Sequence, residues 1–580
     1  MHLRYLAPVV ILLGACARTS GLATPAPIPS APTVGPETDV TTLLGELSVR
    51  DKIAQLVMPW IPGAYAAYDD SGFERAEAWV DSLHIGGVIV SIGSPLDVAA
   101  KLNRLQRRST LPLLVGSDFE GGTSLRLNGG TLFPPNMGLG ATGSDSAAYD
   151  LGRITALEGR AVGVQLAFAP VADVNNNPAN PIINTRAFGE DPAQVGRMVA
   201  AEVRGLQDFG MLATAKHFPG HGDTGTDSHL ALPVITSSWA RLDSVELVPF
   251  RAAIRAGVDV VMSAHIALPG LDSGMIRPGT VAPNILTGIL RDSLGFKGMI
   301  VTDALNMAGV ADAYGAEAGV RAFIAGADLL LQPADPRATI DAMERAVASR
   351  QISLERLDAS VRRVLEAKRA LGLFARRTVP LDSIPAIVGS AAFQADAAAI
   401  ATRSIVMVKD SAGVIHSMTS RPPVTLVTYA EEENRVVGLA LAAELRSQGF
   451  PVAMTRLWPS SGQASYDSVT ATLRRPGVVL FAAADRPTAG RGTIGLPDAL
   501  MALIARTARE RATVLVSLGN PYLIASLPEV GSYLIGWRSN ALTEQAVARA
   551  LAGAAPITGR LPIAIPPKYA RGWGLQRHVP

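Results

Sequence analysis

A single cysteine, Cys16, stands in these 580 residues. One cysteine excludes an intrachain disulfide framework and any zinc site built on thiolates. Charge of one sign is missing too. Lys and Arg number 52 against 50 Asp and Glu, a net of +2, which leaves no electrostatic footprint for nucleic acid. Neither GxGxxG nor GxxxxGK falls at a strand-to-helix turn, so a nucleotide phosphate has no glycine-rich cradle. Beyond the N-terminus no stretch reads as apolar for long enough to cross a bilayer, and no internal repeat links the two halves. What is left is a globular composition, 48% hydrophobic and 18% charged, in a chain too long for one core. Two or more domains are expected.

The N-terminus has a layout of its own. Arg4 precedes an apolar run, Tyr5 to Leu13, and Leu13, Gly14, Ala15 and Cys16 resemble a bacterial lipobox. The run is too short to span a bilayer and reads as an export signal; a buried helix with a chance cysteine is the plain alternative. Residues 1–16 are therefore expected to be a lipoprotein signal peptide, with lipidation at Cys16. Residues 17–39, rich in proline and free of aromatics, read as a tether. The expected location is the cell envelope, with the protein exported and held to the membrane by its lipidated N-terminus.

From Val40 apolar runs of four to seven residues alternate with amphipathic stretches of ten to twenty, the pattern of β/α units on a mainly parallel sheet. Eight candidate strands run from Ile53–Met58 to Asp328–Leu331, with helices such as 147–161, 193–209, 242–256 and 336–348 between them. The fold class is α/β. Residues 40–375 are expected to form a TIM-like (β/α)8 barrel, because Asp118, Asp173, Lys216, His217, His265 and Asp303 each fall just past a candidate strand's C-terminal end, where a barrel gathers its chemistry. Residues 376–400, with Pro380 and Pro385, read as a linker. Residues 401–580 show a second alternation, six strands from Ser404–Val408 to Tyr533–Trp537, and are expected to form a smaller open α/β sandwich.

The densest chemistry is MLATAKHFPGHGDTGTDSH, Met211 to His229. Three of the eight histidines, His217, His221 and His229, fall within thirteen residues of it, among Lys216, Asp223 and Asp227. Asp227 and His229 are separated by one residue, Ser228, so on a turning backbone the carboxylate can take a hydrogen bond from one imidazole nitrogen and fix the tautomer of the other. Such a pair is a general acid/base dyad. Asp303, after a strand too apolar to be exposed, is a candidate nucleophile, kept ionised by cations such as Lys216 and Arg186. Asp118 sits beside glycines that would let a ligand approach. His221 fits loop support as well as substrate contact, and His265 fits a satisfied core histidine. A metal site from His217, His221, Asp223 and His229 is the competing reading. Against it, an HxxxH spacing shares a face only in a helix, which Pro219-Gly220 breaks.

Together KHFPGHGDTGTDSH, SDFEGG, NTRAFGEDP, VTDALNM and, later, VLVSLGNPYLI with GRLPI resemble glycoside hydrolase family 3, and within it the bacterial β-N-acetylglucosaminidases. The resemblance runs from about residue 40 to the end. It implies Asp303 as nucleophile, His229 as acid/base and Asp227 as its partner, with Asp118, Arg126, Arg186, Lys216 and His217 holding the sugar and its N-acetyl group. It also implies an oligosaccharide substrate containing β-linked GlcNAc, from cell-wall or chitin-like material, and no metal or organic cofactor. The family's DQEGGRVxR stands here as DFEGGTSLR, so Phe119 and Thr123 depart while Asp118, Glu120 and Arg126 remain. A histidine acid/base does not repel anions, so a phosphorylase is an alternative. So are a family-3 β-glucosidase and a non-catalytic carbohydrate-binding lipoprotein, although the glucosidases usually take their acid/base from a later domain.

Overall fold

Between residues 48 and 62 the sequence reads as one strand over Ile53–Met58, and the chain does something else. Ser48 caps a helix, Val49–Ala54: its Oγ accepts the Asp51 N–H at 3.1 Å and donates to the Asp51 carboxylate at 2.6 Å. This reciprocal cap makes the segment helical despite its apolar residues. Strand β1, Val57–Met58, begins only afterwards, and β2, Trp60–Pro62, follows beyond Pro59. The computed structural model showing this describes residues 35–579 apart from Pro36, Tyr68, Asp69, Ala489 and Thr493. The expected signal peptide, Cys16 and the tether up to residue 34 lie outside the described residues.

Seven more strands build the first domain: β3 (Gly87–Ser91), β4 (Leu114–Ser117), β5 (Leu166–Ala167), β6 (Leu212–Phe218), β7 (Val260–Ser263), β8 (Met299–Val301) and β9 (Leu330–Leu331). Strands β2 to β8 pair in chain order and all in parallel. A bridge from Val301 to Leu329 joins β8 to the β9 segment, and β9 pairs with β1. Since β1 and β2 are one path broken at Pro59, the sheet closes on itself as the (β/α)8 barrel. Apart from β2, whose Trp60 is exposed, its strands are largely buried on both faces, which is why they read as unbroken apolar runs. Helices Asp145–Ala161, Pro192–Gln207 and Pro336–Ala348 stand close to their expected positions. The stretch expected as one helix over 242–256 is two, Trp239–Ser244 and Leu247–Arg255.

The linker expected over 376–400 is largely helical. Helices Ile384–Ile387 and Ala391–Ser404 occupy it, the second capped by Ser390, which accepts from Phe393 N–H at 3.4 Å, and rich in alanine. Residues Leu381–Ser404 are, by length and apolarity alone, long enough to cross a membrane, an exception to the expectation above. The stretch is interrupted at Gly389, whose φ is 67°, and its second helix packs on Asn136–Thr142 and Ala541–Ala552. It is a firm connector. Ser404 is its last residue and not the start of a strand; its carbonyl accepts the Trp537 indole N–H at 2.7 Å.

The second domain holds β10 (Val406–Asp410), β11 (Val424–Tyr429), β12 (Val452–Leu457), β13 (Val478–Ala483), β14 (Thr513–Ser517) and β15 (Ser532–Ile535), in the order β10-β15-β14-β13-β11-β12. Only β10 runs antiparallel to its neighbour. The domains share apolar packing: Met137 and Ala141 of the barrel lie in one cluster with Val406, Trp537 and Leu561. Backbone bonds cross the same seam, Glu190 N–H to the Pro562 carbonyl at 3.1 Å and Arg560 N–H to the Ala141 carbonyl at 3.0 Å. Loops of the second domain are thereby held against the mouth of the barrel.

Candidate active site

Each expected polar residue stands at the strands' C-terminal rim. Asp118 follows β4, His265 follows β7 and Asp303 follows β8. Lys216 and His217 lie inside β6, which runs three residues further than its sequence suggests, to Phe218. The extension has a cause: the Lys216 carbonyl accepts from Ala172 N–H at 2.6 Å and its N–H donates to the Pro170 carbonyl at 3.1 Å, so the neighbouring chain continues the ladder.

Asp173, noted in the sequence only for its position, organises the loop. Its Oδ2 accepts from His217 Nδ1 at 2.7 Å, and its Oδ1 accepts the His221 N–H at 2.7 Å. With Nδ1 donating, His217 Nε2 is left as an acceptor toward Arg186 Nη2 at 3.3 Å. Gly222 is required by a close approach, since a Cβ there would stand 1.7 Å from the Val174 carbonyl oxygen. The Asn180 amide donates to the carbonyls of His221 and Gly222, both at 2.9 Å.

Below the rim lies a buried ion network. Glu120 accepts two N–H groups of Arg186, both at 2.8 Å, and the Lys216 ammonium at 2.6 Å; Lys216 also reaches Asp118 at 2.9 Å. Burial would push Glu120 up, but Arg186 and Lys216 outweigh it and hold the carboxyl well below its ordinary range. Burial would likewise depress Lys216, which Asp118 and Glu120 raise instead. Four charges, two of each sign, satisfy one another and leave fixed donors and acceptors at the cleft wall, a surface suited to sugar hydroxyls. Arg126 stands 3.4 Å from Asp118, and its buried Nε has no partner.

Asp227 and His229 form the expected dyad. Asp227 Oδ1 accepts both the His229 N–H at 2.9 Å and its Nδ1 at 2.8 Å, which turns Nε2 away from the carboxylate. Asp227 Oδ2 accepts the N–H of Gly490, in the second domain, at 2.7 Å. Burial opposes ionisation of Asp227, yet these donors keep its carboxyl below the ordinary value. Asp303 Oδ1 accepts the Ala304 N–H at 2.8 Å. Burial would raise this carboxyl as well, and His265, His217, the Ala304 N–H and Lys216 together bring it lower. Held ionised, it has the state a nucleophile needs.

His265 is fully buried, its Nε2 donating to the Ala304 carbonyl at 2.9 Å and its Nδ1 bonded to Thr280 at 2.8 Å. It supports the turn that carries Asp303. His221 is a loop support: Nδ1 meets Thr224 Oγ1 at 2.8 Å and Nε2 meets Ser228 Oγ at 3.0 Å. Among the described residues, the four candidate metal ligands His217, His221, Asp223 and His229 form no group of ion-holding size. Among the described residues, the one acidic or imidazole cluster of ion-holding size is Glu431 to Glu433, mostly exposed.

Burial pushes His221 down to about 4 from its ordinary 6.5. The unfolded chain therefore takes up this proton first as pH falls, and folding stability supported by neutral His221 is lost between 6.5 and 4, by roughly 3 kcal/mol in full. Buried Glu202, raised to about 8, acts with the opposite sign, so the comparison must be with His221→Asn. Denaturant unfolding across that window is expected to show a shallower loss of stability on acidification in the variant. Equal slopes would reject the assignment.

These groups open on one cleft of about 820 Å3, a size suited to a small ligand. Its far wall comes from the second domain and includes Arg486, Leu518, Trp537 and Arg538. None of these was singled out from the sequence, where nothing local marks them. Glu120 was visible only as part of a motif.

An ionised carboxylate, an imidazole held by a second carboxylate and a polar pocket at a barrel mouth are groups that glycoside hydrolysis can use. Residues 48–367 match the glycosyl hydrolase family 3 N terminal domain, and the chain belongs to glycosyl hydrolase family 3. It is similar to a β-N-acetylglucosaminidase/β-glucosidase of Cellulomonas fimi, 32% identical over 90% of this chain and 95% of that protein. It is 34% identical to the β-hexosaminidase LpqI of Mycobacterium tuberculosis over 60% of this chain and 90% of that protein. The structure of a family 3 β-N-acetylglucosaminidase from Paenibacillus sp. str. FPU-7 overlays with a TM-score of 0.79 at 33% identity, covering 90% of this chain and 99% of that one.

Proposed function

We propose that this protein is a retaining, exo-acting β-N-acetylglucosaminidase that removes terminal β-linked GlcNAc from cell-wall or chitin-like fragments. The observation that carries the reading is the Asp227–His229 bond at 2.8 Å in the same cleft as the half-buried, ionised Asp303. Asp303 attacks the anomeric carbon as His229 Nε2 gives its proton to the departing glycosidic oxygen, forming a covalent glycosyl-Asp303. A water then attacks that carbon, His229 takes the water's proton, and the Asp303 carboxylate leaves. Buried Asp227 stabilises the imidazolium form without itself being protonated. Lys216, Arg186, Asp118, Arg126 and His217 hold the sugar. A protein that only bound saccharide would have no use for the dyad and an ionised carboxylate together.

The test offers the purified protein aryl β-N-acetylglucosaminide and aryl β-glucoside and follows the anomeric product by NMR. Turnover of the N-acetyl substrate with β-GlcNAc as first product is expected; first-formed α-product would sink retention. The same expression also tests the proposed lipid anchor at Cys16: the protein is expected in the membrane fraction of its host and should leave it when Cys16 becomes Ser.

A further inference from the structure

The Gly490 amide that holds Asp227 belongs to the loop after β13, and that loop has little of its own to stiffen it. Gly490 and Gly492 stand at φ of 77° and 70°, backbone that other residues rarely adopt. Their main chain faces the barrel. Gly490 N–H donates to Asp227 Oδ2 at 2.7 Å, and a Cβ on Gly492 would stand 2.8 Å from Cδ1 of Leu230, the residue after His229. Arg491 lies between the two glycines, and its side chain turns back into the second domain. Its Nη1 donates to Glu431 Oε1 at 2.5 Å and stands 3.6 Å from Asp485 Oδ1. Among the described residues from 486 to 495, Arg491 is the one whose side chain bonds to a group outside the loop. It does not line the cleft.

The partners of Arg491 are fixed points. Glu431 stands two residues beyond β11 and Asp485 two beyond β13, and those strands are paired neighbours. The Asp485 carbonyl accepts the Asn520 N–H at 2.5 Å from the turn after β14, which pins its backbone. Its side chain is fully buried. Burial pushes the carboxyl up to about 6, and Arg491 is the largest influence drawing it down. At neutral pH it is therefore largely an anion that needs its guanidinium, and an ion pair with one partner buried resists separation more than an exposed one. A single guanidinium between two carboxylates fixes direction as well as distance. The course of the loop follows from that grip. Among the described residues, the Asp227 carboxylate takes hydrogen bonds from His229 and from Gly490, so without Gly490 nothing outside the dyad would set its plane.

We propose that Arg491 is a positioning residue for the acid/base dyad: tied to Glu431 and Asp485, it holds the Gly490 amide on Asp227 and so keeps His229 aimed at the oxygen it protonates. Arg491 touches no reacting atom. The part given to His229 rests on the reaction proposed above. A misplacement of about an ångström is enough to spoil proton transfer, and a leaving group that departs without a proton would not register it. Loss of Arg491 should therefore be felt where the leaving group is poor.

The test compares kcat/KM on an alkyl and a dinitrophenyl β-N-acetylglucosaminide for wild type, Arg491→Gln, Arg491→Lys and Arg549→Gln. The last breaks an ion pair to Glu444 at 2.9 Å elsewhere in the second domain and serves as the control. Arg491→Gln is expected to lose about tenfold or more on the alkyl substrate and less than about twofold on the dinitrophenyl one. Arg491→Lys should recover most of the difference, and Arg549→Gln should show none. Amide exchange at Gly490, followed by mass spectrometry, should quicken by about tenfold in Arg491→Gln and stay as in wild type in Arg549→Gln. Should Arg491→Gln fail to fold, the double variant Asp485→Asn/Arg491→Gln, which leaves no buried charge unpaired, is measured in its place with the same expectations. Equal losses on the two substrates, or faster exchange with an unchanged dependence on leaving group, overturn the proposal. A wild type that turns over neither substrate removes the reaction, and the positioning role with it, so the two failures are told apart.

Discussion

Replacing Asp303 by Asn is expected to lower turnover of an aryl β-N-acetylglucosaminide by about four orders of magnitude or more, since the amide has the carboxylate's shape but no competent nucleophile. The fold should survive. The Ala304 N–H that donates to Oδ1 at 2.8 Å can donate equally to an amide oxygen, and the neighbouring His265, His217 and Lys216 lose only an attraction. Saccharide affinity should therefore change far less than turnover. Because these neighbours outweigh burial and hold the wild-type carboxyl below its ordinary 3.8, the acidic limb of activity attributable to Asp303 should lie below that value. In wild type, quenching the reaction during turnover of a substrate with a fast-leaving aryl group should leave one N-acetylhexosamine on the peptide containing Asp303, seen by mass spectrometry. A variant keeping a tenth of wild-type activity would remove Asp303 from the role.

The second large effect concerns the dyad. His229→Ala should cost about 10²- to 10⁴-fold on a substrate with an alkoxide leaving group. The loss should be much smaller with nitrophenolate, which departs without a proton. Asp227→Asn keeps the size of the side chain but presents an amide to His229 Nδ1, and so disturbs the tautomer that the 2.8 Å bond selects. It should approach His229→Ala in severity on the poor leaving group. Comparing kcat/KM across aryl leaving groups of graded acidity checks this. A flat dependence in wild type that stays flat in both variants would rule out proton donation by His229.

Strands were legible where burial was uniform. Gly87–Ser91 and Val424–Tyr429 stand as their apolar runs suggest, because strands covered on both faces leave an unbroken signal. The same signal failed at Ile53, where a serine cap and an acidic third position turned apolar residues into a helix. It failed again over 376–400, where two prolines suggested a linker and alanines made a helix after them. In the site, the dyad could be read because its partners are two residues apart. Asp173 binds His217 from 44 residues away, and only the fold joins them. Arg486 and Arg538 are more remote still. Composition and periodicity describe neighbours along the chain, whereas this cleft is walled by two domains.

The hydrogen bond from Gly490 to Asp227 joins residues 263 positions apart, and its donor is a main-chain amide. Every amino acid except proline supplies that group, so the genetic code offers few single changes at position 490 that delete it. What the bond does depend on is the length and course of the loop after β13. Inheritance of the dyad's geometry is therefore written partly in spacing, and an insertion or deletion there would be felt at His229 while Asp227 and His229 themselves stayed unchanged.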